Sequence, residues 1–359
     1  MVIEVEVRKI QNTASGSFFI TLPKSWVIDM EIEKGEELKI SREEDGSLRL
    51  NPLKNQAKYY YEFVIEIEDY PEANLLERCI NSCYIQGADV ISILSKKTIT
   101  MHKKNIIKKT TSNLIGTEIS EEFSDKITIR ILIDPIKFPL HDLIKRIYTL
   151  ISSMHLDAMK SFQERDEILA RDVVNRGKEV DKLFFLMLRQ LNLSLSNRLN
   201  IAEICTSDMT IDCVLGIVLA RDLSKMAHYA VEIAQQSMKL KDKKVNPKLK
   251  EHLISMSRFV IRMQQNAILA FFKNNFIRAN EVINNIHRVR EFDLKTENEV
   301  LTKIEDVSTT ISLITISRNL RNIANSAVAV SQDLQAKHRP KTIYKKEIGS
   351  KNLLDPIIL

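Results

Sequence analysis

The spacing of apolar and polar side chains changes twice along the 359-residue chain. Over residues 1–52 the two kinds alternate, as in Val5-Glu6-Val7-Arg8, which predicts short strands. Ser15-Gly16 and Asp45-Gly46 supply turn residues between them, and Pro23 opens one short helix. Four short strands and one helical turn bury too little surface for a core, so this segment is expected to need a second copy of the chain.

The next region combines two periodicities. Strand-like and helix-like stretches alternate up to Asp134-Pro135, and Gly87 and Gly116 end the two helical stretches. This order predicts an α+β or α/β module. Its predicted elements are, in chain order, a strand over Tyr60–Ile67, a helix over Glu72–Gln86, a strand over Asp89–Leu94, a helix over Lys103–Ile115 and a strand over Lys126–Ile133.

Apolar residues then recur every three or four positions from Leu140 to Lys337, which predicts a long all-helical region. This region contains an internal repeat, because Ala220–Ile233 matches Ser317–Val330. Two shorter stretches match in the same order: Ala170–Val174 matches Ala279–Ile283, and Glu179–Asp181 matches Glu291–Asp293. We therefore expect two copies of a three-helix bundle. The predicted fold class is α+β and multidomain, with domains at 1–54, 55–137, 138–240 and 241–336 and a flexible basic tail at 337–359.

The composition of the chain excludes several classes of protein, among them disordered ones. With 44% hydrophobic residues, 28% charged residues and only eight Gly and eight Pro, the chain is neither disordered nor of low complexity. No apolar run reaches about 18 residues and the first residues lack a signal-peptide pattern, so we expect a soluble, cytoplasmic protein without membrane insertion. Cys79 and Cys83 could share a metal, but no second Cys/His pair follows, and buried thiols are the favoured interpretation.

One motif of the repeat resembles a known family. Arg221-Asp-Leu-Ser-Lys-Met-Ala-His-Tyr-Ala-Val is similar to the helix signature R-D-L-E-R-I-G-D-x-A-V of the phosphate-uptake regulator family PhoU, and it has a second copy beginning at Arg318. That family is a tandem of two three-helix bundles. The resemblance implies a regulator of phosphate uptake, with phosphate transport or signalling proteins as partners.

The front of the chain resembles a second family. Arg8-Lys-Ile-Gln-Asn-Thr-Ala-Ser-Gly-Ser-Phe-Phe-Ile-Thr-Leu-Pro-Lys-Ser-Trp, followed by Ile32-Glu-Lys-Gly-Glu-Glu-Leu, is similar to the swapped-hairpin domain of AbrB/SpoVT-type transcription factors. The resemblance implies an intertwined homodimer through residues 1–54, and it implies DNA binding in a regulator similar to the archaeal PhoU-like proteins. The alternative is an adaptor that does not bind DNA and inhibits a phosphate transporter or signalling protein through its helical bundles.

Resemblance to PhoU also raises the question of a metal cofactor, because the bundles of that family carry carboxylate clusters that hold iron or other metal ions. Hard cations need several convergent oxygen ligands. The positions that the resemblance assigns to ligands hold residues that are not carboxylates: Ser224, His228, Arg321 and Asn325, with Gly177 and Val289 four residues before the remaining acids. We therefore expect no cofactor and no metal cluster, although candidate carboxylates remain at Glu179, Asp181, Glu291 and Asp293.

Charge gives two candidate polyanion-binding surfaces. The chain carries 53 Lys and Arg against 47 Asp and Glu. Near the front the candidates for DNA phosphate contacts are Arg8, Lys9 and Lys24, although residues 1–55 hold eight basic against ten acidic side chains, so plain exposed charges are an equal alternative. A second candidate is a run of six lysines without an acid, which is either a solvated face or a polyanion-binding patch: Lys96, Lys97, Lys103, Lys104, Lys108 and Lys109.

Catalysis has little support in the sequence. None of the patterns G-x-x-x-x-G-K-[ST], G-x-G-x-x-G, G-x-S-x-G and H-E-x-x-H occurs, so phosphate-cradling, dinucleotide and common hydrolytic sites lack their signals. His155 is expected to be a partly buried structural histidine rather than a catalytic base. The sequence therefore predicts a protein that is not an enzyme.

Overall fold

The computed structural model describes residues 6–12, 16–42, 46–52, 60–196, 198–199, 201–205, 210–337, 342–344 and 356–358. The chain forms two compact units, residues 1–60 and 61–359. Ser15, Asp45 and most of the basic tail lie outside the described residues. None of the described helices has a stretch that is both long enough and apolar enough to cross a membrane.

The first unit consists of two small antiparallel strand pairs and one short helix. Its elements are β1 (Gln11–Asn12), β2 (Phe18–Phe19), α1 (Lys24–Asp29), β3 (Leu38–Arg42) and β4 (Leu48–Pro52), with β1 paired to β2 and β3 paired to β4. Pro52 is the only buried residue among those described here. Large apolar side chains are instead exposed, among them Val7 at 89% and Phe18 at 76%. The described residues of this unit therefore form no hydrophobic core of their own.

One strand expectation for this unit is wrong where the structure describes it. Residues 6–10 are exposed and are not in a strand, the first strand among the described residues begins at Gln11, and residues 1–5 of the expected strand lie outside the described residues. The alternating pattern identifies side chains that could face two sides of a sheet, but a strand also needs a neighbouring strand for its backbone hydrogen bonds. Among the described residues of this single chain, the segment before Gln11 has no such neighbour.

The second unit begins with a four-stranded sheet, which we call the connector. Its elements are β5 (Glu62–Glu66), α2 (Ala73–Ile85), β6 (Val90–Leu94), α3 (Met101–Ser112), β7 (Thr117–Glu122) and β8 (Lys126–Ile131). The strand order is β5-β6-β8-β7, with β5 parallel to β6 and the other pairs antiparallel. All five predicted elements are present. Strand β7 was not predicted, because Ile119 is its only large apolar residue.

Two helical repeats follow the connector. The first comprises α4 (Leu140–Glu164), α5 (Glu167–Leu195), a short α6 (Ile201–Ile204) and α7 (Thr210–Lys239). The second comprises α8 (Pro247–Lys273), α9 (Phe276–Asn284), α10 (Ile286–Lys303) and α11 (Val307–Lys337), so its middle helix is divided at Asn285. One continuous hydrophobic core spans both repeats. The α+β multidomain fold class is therefore confirmed.

The corners of the two repeats are built alike. Arg165 and Asn274 end α4 and α8 in the left-handed conformation, with φ of 62° and 48°. The next residue in each case caps the following helix: the Asp166 and Asn275 side chains each accept a backbone N–H three residues on, at 2.9 Å. Corresponding residues here are 109 positions apart, which defines the register of the repeat.

Within the tail at 337–359, which the sequence predicts to be flexible, the described residues include two short strands. Thr342–Tyr344 (β9) and Pro356–Ile358 (β10) pair as antiparallel strands. Each is a short run containing the β-branched residue isoleucine, which favours extended pairing over free chain.

Candidate functional site

In the second repeat, Arg321 stands where the resemblance to PhoU places a metal ligand, and it forms an ion pair. The Asp293 side chain on α10 is only 6% exposed, and the Arg321 guanidinium on α11 donates to its Oδ2 at 2.6 Å. Ser317 Oγ donates to the other carboxylate oxygen, also at 2.6 Å. Glu291, two residues before Asp293, is exposed. Arg321 therefore supplies within the chain the positive charge that a metal ion would supply.

The first repeat has a more open version of the same arrangement. His228 Nε2 on α7 lies 3.5 Å from Asp181 Oδ1 on α5, and both side chains are largely exposed. The hydrogen bond to Asp181 raises the pKa of His228 above its ordinary value, against a smaller effect of burial. Glu179 lies 3.1 Å from Lys182 and lines a separate groove with Asp142 and Lys145. Glu179 and Asp181 therefore do not converge on one site.

Neither repeat assembles an oxygen-rich cage within the part of the chain that the structure describes. No group of three or more His, Cys, Asp or Glu side chains there has a metal-binding arrangement. Ser224 is buried and Asn325 is exposed at the remaining positions implied by resemblance. The donor set present consists of a carboxylate with one cation or imidazole in each repeat, which suits an ion pair better than a hard cation.

The two cysteines of α2 do not form an alternative metal site with other described side chains. Cys83 is buried on α2, and burial raises the pKa of its thiol to about 12, with a further contribution from Cys79. A thiol is a metal ligand and a nucleophile only in its thiolate form. Cys83 is therefore a buried thiol, as expected, whereas Cys79 is only half-buried.

The basic residues of the first unit are exposed. Arg8 forms an ion pair with Glu6. Lys9 and Lys24 have no ion pair among the described residues, and Lys24 is the first residue of α1. Two of the three candidates for phosphate contacts thus carry charge that no described acid neutralises.

The six lysines of the connector divide into two groups. Three are engaged inside the chain: Lys103 Nζ donates to the Ile67 carbonyl at 3.2 Å, and Lys104 and Lys108 lie 3.3 and 3.0 Å from the Glu122 carboxylate. Lys96, Lys97 and Lys109 are exposed and have no ion pair among the described residues. Two of the six lysines are therefore paired with an acid in the fold, and they share the single carboxylate of Glu122.

Two polar side chains that the sequence pattern did not single out join the connector to the first repeat. Arg189 on α5 is 3% exposed, donates to the Tyr84 carbonyl at 2.8 Å and lies over the Tyr84 ring. Asn192 donates to the Ile85 carbonyl at 3.0 Å. These two side chains cap the C-terminal end of α2, whose last carbonyls have no partner within their own helix. The only signal in the sequence is a charged residue inside an apolar stretch, Leu186-Met-Leu-Arg-Gln-Leu.

A second arginine extends this junction to the start of the sheet. Arg198 donates to the Gly87 carbonyl at 2.6 Å and to Asp89 Oδ2 at 2.9 Å, and its guanidinium lies 3.6 Å from the centre of the Tyr61 ring. Asp89 Oδ2 also accepts the Tyr61 backbone N–H at 3.0 Å. We call Arg189, Asn192, Arg198 and Asp89 the junction. It fixes the first residue of the second unit to the end of α5.

We expect Gly87→Ala to destabilise the connector locally by about 2 kcal/mol. Gly87 has φ of +92°, and a Cβ there would lie 2.7 Å from Leu193 Cδ2 and 2.8 Å from Arg198 Nη1, so the change adds backbone strain to a collision at the junction. Hydrogen exchange of the Asp89 and Val90 amides, which bond to the Tyr61 carbonyl, should accelerate. Amides in α11 serve as the internal control. Equal acceleration in α11 would contradict a local effect.

His155 is buried more deeply than the sequence predicted. It is fully buried, rather than partly, on α4. Its Nδ1 lies 2.9 Å from Gln264 Oε1 on α8, and Ser257 Oγ lies 3.1 Å from its Nε2. An amide oxygen can only accept, so Nδ1 carries the proton and Nε2 accepts from the serine. Gln264 is the residue equivalent to His155 in the second repeat, so the two repeats contact each other here through corresponding positions.

Comparison with known proteins agrees with this architecture. The family model of the PhoU domain matches residues 144–237 and again 253–334, and the model described as Antidote-toxin recognition MazE, bacterial antitoxin, matches residues 11–58. A protein of Methanothermobacter thermautotrophicus, the phosphate-specific transport system accessory protein PhoU homolog 1, is 25% identical over 187 residues, which cover 49% of this chain and 80% of that protein.

One solved structure shares the helical fold, and a second is a weaker match. The crystal structure of PhoU from Pseudomonas aeruginosa has a TM-score of 0.50 at 17% identity and covers 54% of this chain and 93% of that one. PhoU from Streptococcus pneumoniae has a TM-score of 0.47 at 14% identity, covering 54% and 91%. The tandem bundles, the twofold match of one domain model and the separate match at the front lead to one conclusion: the chain is a PhoU-like protein with an N-terminal domain of the MazE/AbrB type.

Proposed function

We propose that this protein is a cytoplasmic regulator of phosphate uptake in which the PhoU domains control an N-terminal dimer that binds DNA. The observation that carries the proposal is the presence, in one chain, of tandem PhoU domains and a MazE/AbrB-type domain. The similar protein of Methanothermobacter thermautotrophicus is named as an accessory protein of phosphate-specific transport, which supports phosphate as the regulated nutrient. The junction supplies a physical connection from α5 to Tyr61, the residue that opens the second unit.

The same proposal assigns no catalytic step and no resident cofactor to the chain. Its PhoU domains would act by binding partner proteins, since two of the four remaining carboxylates, Asp293 and Asp181, are held in ion pairs with Arg321 and His228. Iron or another hard cation would have to displace these internal partners and still lack further oxygen ligands.

We expect deletion of residues 1–52 to convert a homodimer into a monomer that keeps its helical content. The described part of the first unit buries only Pro52 and exposes Phe18, Ile20 and Ile40 at 76%, 51% and 62%, so a second copy is the simplest source of a core. Light scattering measures the mass, and circular dichroism checks the helices. A deletion protein that remains dimeric would move the interface to the second unit.

We expect DNA affinity to depend steeply on salt through the first unit. If Arg8, Lys9 and Lys24 of two subunits contact phosphates, about six contacts give a slope of log K against log salt of roughly −5. Changing all three residues to Ala should bring the slope close to zero while the dimer persists. Binding of the promoter region of the protein's own gene, titrated at several salt concentrations, measures the slope.

The matched control changes the six lysines between Lys96 and Lys109 to Ala and should leave that slope nearly unchanged. If the lysine variant loses binding and the front variant keeps it, the DNA surface lies in the connector. If no form binds DNA at moderate salt, the adaptor that inhibits a transporter or signalling protein replaces the DNA-binding regulator.

A further inference from the structure

One end of the connector brings exposed apolar side chains next to lysines that are distant in sequence. This end, which we call the tip, consists of residues 94–101 and the β7–β8 turn at 123–125. Ser95 N donates to the Asp125 carbonyl at 2.8 Å, and Ile99 N donates to the Ser124 carbonyl at 2.7 Å, so the two segments are held together by their backbones. Lys104 Nζ donates to the Phe123 carbonyl at 3.1 Å and adds the first turn of α3 to the tip.

Three large apolar side chains of the tip point away from the core. Phe123 is 57% exposed, Met101 69% and Leu94 36%, whereas Ile99 between them is buried. Single exposed apolar residues are ordinary on a protein surface, but several at one projecting end indicate a surface that meets an apolar phase. The fold gives them no other role, because the connector core is complete without them.

The tip itself holds two lysines and one acid, and two further acids, Glu68 and Glu122, lie beside it. The Glu122 carboxylate forms ion pairs with Lys104 and Lys108. The Glu68 carboxylate accepts hydrogen bonds from Lys96 N at 2.8 Å and from Ser95 Oγ at 2.9 Å, and these bonds lower its pKa. Lys96 and Lys97 are exposed without an ion pair among the described residues, and Asp125 is the remaining acid of the tip. The tip therefore presents lysine ammonium groups beside apolar side chains.

We propose that the tip is a peripheral docking surface for an anionic lipid membrane. Phe123, Met101 and Leu94 would enter the boundary between headgroups and acyl chains, and Lys96 and Lys97 would contact anionic headgroups. A nucleic acid fits less well, since its outer surface of phosphates offers nothing to three apolar side chains and the tip has only one exposed aromatic ring for base stacking. Contact of this kind requires no membrane-spanning helix.

Sedimentation of the full chain with vesicles tests the proposal. We expect binding to vesicles of phosphatidylserine mixed with phosphatidylcholine and much weaker binding to phosphatidylcholine alone. The double variant M101S/F123S should lower the partition coefficient about tenfold. K96E/K97E should remove the preference for anionic vesicles. Both pairs are exposed, so the fold should persist, and circular dichroism verifies it.

Two matched controls share the chemistry but lie on the helical repeats. I168S/I277S removes isoleucines that are 82% and 76% exposed, and K244E/K248E reverses two exposed lysines; both should bind vesicles like the wild type. The proposal is overturned if the wild type ignores anionic vesicles at low salt, if the controls lose as much binding as the tip variants, or if the tip variants bind vesicles normally and lose affinity for a DNA duplex instead.

Discussion

The free energy of unfolding of the second unit is expected to fall by about 3 kcal/mol between pH 7 and pH 4 through His155 alone. Burial lowers the pKa of this imidazole from 6.5 to about 4 in the folded protein. Between these two values the unfolded chain binds a proton that the folded chain does not, so stability decreases as the pH falls. The contribution is fully present above pH 6.5 and lost below about pH 4.

His155→Gln isolates this contribution. Gln264 already occupies the equivalent position of the second repeat, so an amide is compatible with the contact between repeats, and it does not titrate in this range. Urea unfolding followed by circular dichroism at several pH values gives both curves. We expect the variant to be less stable than the wild type at pH 7 and to approach or exceed it at pH 4. Parallel curves would show that His155 is not buried as a neutral group.

The second large effect is expected at Arg321. Arg321→Met should destabilise the protein by about 3 kcal/mol, because it leaves the Asp293 carboxylate buried with only the Ser317 hydroxyl as a partner. The double variant Arg321→Met with Asp293→Asn should recover most of the loss, since an amide needs no counter-charge and keeps the serine contact. Urea unfolding at pH 7 measures all three proteins.

The first repeat offers the matched control. His228→Met removes the partner of Asp181, but the Asp181 side chain is 41% exposed and stays hydrated, so we expect a change of less than about 1 kcal/mol. A loss at His228 as large as that at Arg321 would contradict the distinction between a buried and an open ion pair. Comparable losses for Arg321→Met and the double variant would mean that the guanidinium acts through packing instead.

Local periodicity was sufficient for much of the architecture. The alternation of strands and helices in the connector and the long helices of the repeats follow from side-chain spacings of two and of three to four residues, which depend only on neighbours in sequence. The repeat was visible because equivalent positions keep their residue types, as at Arg221 and Arg318. Strand β7 was missed because an exposed edge strand needs few apolar residues.

Part of the candidate site could also be inferred from spacing. Substitution of the expected ligands by Ser224 and Arg321 is a fact of the sequence, and it already argued against a cluster of carboxylates. The distances of 2.6 Å to Asp293 and 3.5 Å to Asp181, and the contrast between a buried and an open pair, required the packed helices.

Sequence by itself thus determined the order of elements, the duplication and the absence of several catalytic motifs, because each of these depends only on neighbouring residues or on a fixed period. Tertiary structure alone decided which distant groups meet. Arg198 reaches Asp89 across 109 positions, His155 reaches Gln264 across another 109, and Glu122 neutralises lysines that form an unopposed run in the sequence. The physical reason is that the burial and pairing of a charge depend on which helix and sheet faces pack together. The pattern of one sequence identifies the apolar faces, but it does not show which face packs against which.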